Sequence, residues 1–152
     1  MADLLTHYAS ARLASAGLRS RDSAAFVVLG TFLPDLVSKG LYWVMQAPSD
    51  FDDPAHSIAG LALLCYLASL FTPETGRPAA FGAFYAGALL HVFVDLFKDN
   101  LGTGSARLLL PFSTWSLEFG WIDPENVVLL IPFALLALGL ARFIERRRRP
   151  SA

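Results

Sequence analysis

The chain has 152 residues, 55% of them hydrophobic, with a formal net charge of −1 and a mean hydropathy of +0.49. That length fits one domain, and so apolar a composition excludes a disordered chain and argues against an ordinary soluble one. With no excess of positive charge, a lipid bilayer is the expected partner and nucleic acid is not.

Residues 4–18 form a short apolar segment carrying Arg12, better read as a packed or partly inserted helix than as a span. Ser20, Arg21, Asp22 and Ser23 then offer capping side chains and mark a tight turn. Residues 23–45 are a second apolar run, interrupted by Pro34 and by Lys39-Gly40. Two prolines and three aspartates break the pattern across residues 46–54. Three further runs, 55–71, 79–97 and 126–144, approach or reach the roughly 20 residues needed to cross a bilayer. The first two are separated by turn chemistry at residues 72–78. Before the last lies the longest connection, residues 98–125, with Gly102, Gly104, Pro111, Phe112, Trp115 and Trp121. A connection of that size is often a lid or binding loop. The expected fold is therefore all-α, a polytopic membrane bundle of about five helices. Residues 1–145 form a single membrane domain, followed by a basic cytoplasmic tail at 146–152.

Charge along the chain sets an expected orientation. If the helices alternate and the Arg146, Arg147, Arg148, Arg149 cluster is cytoplasmic, nine of the twelve basic residues fall on that side, leaving Lys39, Lys98 and Arg107 outside. The positive-inside rule then puts the N-terminus out and the C-terminus in. Trp43, Trp115 and Trp121 all land on the outer side, as an aromatic belt would place them. The arginine cluster, directly after a span, reads as a topology anchor before a nucleic-acid patch. Cys65 is the lone cysteine, in the middle of an apolar run, so it reads as a small core residue. Asp3 and Arg12 bracket a weakly apolar start without the features of a cleavable signal.

All three histidines, His7, His56 and His91, lie inside or at the edge of apolar segments. In the alternating arrangement His7 begins the first helix at the outer end and Asp35 lies toward the outer end of the second. His56 begins the third there, and His91 with Asp95 closes the fourth at i, i+4 spacing. Five polar groups from four helices thus share one level. Ionisable groups at membrane depth cost several kcal/mol unless paired, hydrated or metal-bound. Imidazole plus carboxylate is a divalent-metal ligand set, zinc above all. Each group also has a plainer reading: His56 and His7 as capping or interfacial residues, His91 and Asp95 as a hydrogen-bonded couple, Asp35 as an acceptor at a helix break. Ala79, Ala83, Gly87, His91 and Asp95 recur at four-residue spacing, the last three within about 80° of arc, so close helix approach leads into the ligand pair.

The ordered segments Thr6-His7, Gly30-Thr31-Phe32-Leu33-Pro34-Asp35-Leu36, His56-Ser57, His91-Val92-Phe93-Val94-Asp95 and Leu110-Pro111-Phe112-Ser113 span nearly the whole chain. Together they resemble the YdjM-like family of small inner-membrane metal-dependent hydrolases. The resemblance implies a helical membrane protein with a divalent-metal site and hydrolase activity. Two departures stand out. Relatives often carry a second acid after Leu-Pro-Asp, where this chain has Val37 and Ser38, leaving a single ion as the expectation. Asp52 and Asp53 replace the basic, histidine-rich approach to the His56 position.

The leading reading is one zinc-like ion held by three or four of His7, Asp35, His56, His91 and Asp95, with water in an open position for ester or phosphoester hydrolysis. The outer-leaflet level and the aromatic loop point to a lipid or amphiphile substrate. Asp99 or Glu118 would act as base, and Lys98 or Arg107 would contact phosphate. Two competitors keep the same residues: a non-catalytic membrane protein that binds metal, protons or a haem, and a structural or partner-binding protein whose polar cluster fixes helix packing.

Overall fold

In a computed structural model of the chain, residues 4–45, 52–99 and 107–148 are described. They form α1 (Leu4–Ser15), α2 (Arg21–Met45), α3 (Asp52–His56), α4 (Ile58–Ser69), α5 (Arg77–Asp95) and α6 (Ile131–Arg148), with 3₁₀ turns at Glu74–Gly76 and Pro124–Leu130. Among the described residues no strand forms beyond an isolated bridge between Lys98 and Ile122. Asp50, Gly102, Gly104 and Arg149 lie outside the described residues, as does most of the expected 146–152 tail.

Two apolar runs and the basic C-terminal stretch depart from the expected pattern. α2 continues through Pro34 and Lys39-Gly40 without interruption. Pro34 is fully buried and Ser38 donates its hydroxyl to the Pro34 carbonyl at 2.5 Å. Packing against a neighbouring helix thus overrides the missing amide, as it does in membrane helices generally. The 55–71 run, by contrast, is broken. α3 ends at His56, Ser57 turns to extended backbone, and α4 starts at Ile58. Ser57 is the reason: its hydroxyl caps the Gly60 amide at 3.0 Å and donates to the Pro54 carbonyl at 2.9 Å. His56 therefore closes a short helix and does not open a long one. At the C-terminal end, α6 runs on to Arg148, so Arg146, Arg147 and Arg148 extend the helix where a tail was expected.

α2 and α5 cross at two glycines. A Cβ at Gly30 would run into the Phe84 backbone, and one at Gly87 would run into the Val27 carbonyl. Such close approach lets the Thr31 hydroxyl reach both the Val27 carbonyl (3.0 Å) and the Gly87 carbonyl across the interface (3.1 Å). Between α4 and α5 lies the main apolar core: Leu61, Cys65, Ala80, Phe84, Ala88 and Val92. Along α5 the buried line is Ala80, Phe84, Gly87, Ala88, His91, while Ala79 is exposed. The small-residue stripe faces inward only over its second half, because four-residue steps drift around a 3.6-residue helix.

α1 and α6 run parallel, with Arg12 paired to Glu145 and Arg148 Nη1 donating to the Gly17 carbonyl at 2.5 Å. Small residues, Ala11 and Ala141, are buried on these helices. The segments Glu74–Asp95 (22 residues) and Val128–Arg148 (21 residues) are long and apolar enough to cross a membrane. Phe133, Leu135, Leu136, Leu140 and Phe143 of α6 are exposed, an apolar face of a kind water does not favour.

Candidate metal centre

The α2–α5 crossing sets the site. Asp35 stands one turn after Thr31 and His91 one turn after Gly87, so the contact that clamps the helices also brings these side chains together. His91 Nε2 lies 3.8 Å from Asp35 Oδ1 and 2.9 Å from Asp95 Oδ2. The second distance follows from helix geometry alone, since residues four apart share a face.

α1 and α3 complete the group. The His7 ring stacks on His91 with centroids 4.1 Å apart and planes 18° apart, and its Nε2 lies 3.2 Å from Asp95 Oδ1. The His56 ring is 5.4 Å from that of His91, centroid to centroid. Two sets of donor atoms result, His7 with His91 and Asp95, and Asp35 with His56 and His91, and within each set the atoms lie within 4.8 Å of one another. His91 belongs to both.

Two lysines enter the cluster where sequence reasoning had not placed them. Lys39 Nζ is 2.5 Å from Asp35 Oδ2. Lys98 Nζ is 2.6 Å from Asp95 Oδ1 and 3.2 Å from His7 Nε2. Lys98, expected to reach for a substrate phosphate, is buried within this cluster, with 5% of its surface exposed. A spacing signal did exist: Lys98 is seven residues after His91 and three after Asp95, just beyond the end of α5.

His7 and His91 are fully buried, and His7 Nδ1, His91 Nδ1 and His91 Nε2 make no hydrogen bond with the described residues. The close approach of His91 Nε2 to Asp95 Oδ2 therefore lacks the direction of a hydrogen bond. Buried polar atoms without partners are rare and costly. Imidazole nitrogens and carboxylate oxygens converging from four helices are donors of the kind that could hold a metal ion.

Asp99, Glu118 and Arg107 stand on the segments bordering this end of the bundle. The Asp99 amide donates to the Ile122 carbonyl at 3.0 Å, and the Phe119 amide, next to Glu118, donates to the Leu96 carbonyl at 2.8 Å. Leu108, next to Arg107, accepts from the Ile58 amide at 2.9 Å, just beyond the α3–α4 break.

Residues 1–151 match the family described as YdjM inner membrane protein. No curated protein and no solved structure matches the chain.

Proposed function

The chain belongs to the YdjM inner membrane protein family and is a membrane protein; we propose that it is a metal-dependent hydrolase of ester or phosphoester bonds. The observation that carries this reading is the convergence on buried His91 of donors from four helices, together with three buried imidazole nitrogens that lack hydrogen-bond partners. A divalent ion, zinc in the first instance, would be held by three or four of His7, Asp35, His56, His91 and Asp95. Bound there it would acidify water toward neutrality and polarise the scissile bond. Asp35 and Asp95 each keep one oxygen on a lysine and turn the other toward His91. Asp99 or Glu118 takes up the proton, and Arg107 contacts phosphate. The exposed Phe112, Trp115 and Trp121 suit an amphiphile or lipid lying in the interface.

We read the bundle as about five helices, α1 short and packed and the rest crossing, multi-pass in the inner membrane, N-terminus out and C-terminus in, with the site toward the non-cytoplasmic side. α1 and α6 run parallel, as the first and last of five alternating helices would. Arg12, Arg19, Arg21 and Arg148 line one cavity where the C-terminal ends of these helices meet the start of α2, whereas His91 and Asp95 close the far end of α5. That separation supports the positive-inside orientation.

A haem between two histidines has no support here, because the His7 and His91 rings stack face to face at 4.1 Å with no room for a macrocycle. A purely structural cluster is favoured by one observation: two ammonium groups balance two carboxylates. Elemental analysis of detergent-purified wild type, His91→Ala and Asp35→Asn, followed by phosphoester turnover, tests the reading. Stoichiometric metal lost in both variants along with turnover is expected, and metal-free wild type would leave the structural reading standing.

A further inference from the structure

The two halves of the cluster are not equivalent. In the half made by His7, His91 and Asp95, the donor atoms already sit at hydrogen-bond separations, 3.2 Å for His7 Nε2 to Asp95 Oδ1 and 2.9 Å for His91 Nε2 to Asp95 Oδ2. Two donors bound to one zinc at roughly 2.0–2.2 Å each, at a tetrahedral angle, lie about 3.3 Å or more apart. The other half is open by that measure: Asp35 Oδ1 and His91 Nε2 are 3.8 Å apart.

The closed half also has a positive charge of its own. The Lys98 ammonium sits where His7 Nε2 and Asp95 Oδ1 converge, 3.2 Å from one and 2.6 Å from the other. It cannot readily leave. Its backbone is bridged to Ile122, its amide donates to the Asp95 carbonyl at 3.0 Å, and Phe97 beside it packs against Phe119 and Trp121. Its side chain is 6% exposed. Lys39, the cation of the open half, has a side chain 41% exposed and a single carboxylate oxygen as partner. Lys39 is thus the less enclosed of the two cations.

We propose that Lys98 is the resident cation of the His7–Asp95 half and confines the protein to one divalent ion, held by Asp35, His56 and His91. The inference rests on the metal-site reading above. Like charge excludes a second ion beside Lys98, and His7 acts as a positioning residue that stacks on His91 without ligating. A neutral side chain of similar length at position 98 would free a nitrogen and a carboxylate oxygen and open a second site.

The test is metal stoichiometry of the full chain in detergent, saturated with zinc, desalted and measured by elemental analysis. Wild type and Lys98→Arg are expected to hold one ion per chain and Lys98→Met two. His7→Ala keeps one ion at saturation, while His56→Ala holds none. Wild type with none removes the metal reading itself. Wild type with one and Lys98→Met also with one overturns the role of Lys98 and leaves the metal site intact, and so does wild type with two. Should Lys98→Met not elute as a single folded species, wild type loaded with manganese decides by electron paramagnetic resonance. An isolated-ion signal is expected, and an exchange-coupled pair overturns the proposal.

Discussion

The Thr31 hydroxyl on α2 lies 3.1 Å from the Gly87 carbonyl on α5, one helical turn before Asp35 and His91 respectively. The two helices are therefore locked in register immediately beside Asp35 and His91. Their spacing depends on glycine, because any side chain at Gly87 meets backbone of α2.

Gly87→Ala should act at a distance from the ligands. Its methyl group would press on the Val27 carbonyl and the Thr31 amide, forcing the helices apart at a cost of about 1–3 kcal/mol. Thermal unfolding in detergent should show the loss, and zinc affinity should fall with it because Asp35 recedes from His91. Unchanged stability together with unchanged affinity would contradict the clamp.

Ser57→Ala removes the cap on α4 and the hydroxyl bond to Pro54, costing about 1 kcal/mol. The larger effect should be on metal, since the break orients His56, and lost positioning of a ligand typically weakens binding by about ten- to a hundredfold. Ser57→Asp, which can still cap, should recover most of the affinity in a competition titration with a zinc dye.

Metal removal should lower stability. An ion that binds only the folded chain stabilises it by about 2.7 kcal/mol at a concentration one hundred times its dissociation constant. Chelator should therefore lower the melting temperature of wild type and leave that of Asp35→Asn unmoved. Equal melting curves for wild type with and without zinc would speak for a cluster that only packs helices.

The pair between Arg12 and Glu145 joins α1 to α6 with side chains 28% and 29% exposed. A double-mutant cycle with Arg12→Ala and Glu145→Ala should return a coupling of about 0.5–1 kcal/mol that shrinks with added salt. The swapped variant Arg12→Glu with Glu145→Arg should restore part of it. Additive single losses would show that the small residues on these helices, and not the charges, hold them together.

Part of the cluster's geometry was legible in the chain. His91 and Asp95 share a face because four residues make roughly one turn, whatever surrounds the helix. Ser20 was recognisable as a cap, and its hydroxyl does accept the Ser23 amide at 3.2 Å. Less visible were the effects of contact. Pro34 and Gly40 look like breaks to any local reading; α2 runs through both, with Pro34 fully buried in the bundle. Ser57, inside an apolar run, looks like a tolerated polar residue, yet its bonds end one helix and begin the next.

Helical class, apolar segments and the kinds of donor atom were determined by the sequence itself, because hydropathy and the 3.6-residue repeat are properties of consecutive residues. Only the tertiary structure decided which donors meet, where Lys98 puts its charge and which half of the cluster stays open. Those outcomes depend on how closely one helix approaches another. Gly30, Gly87 and Thr31 set that approach through contacts between residues more than fifty positions apart.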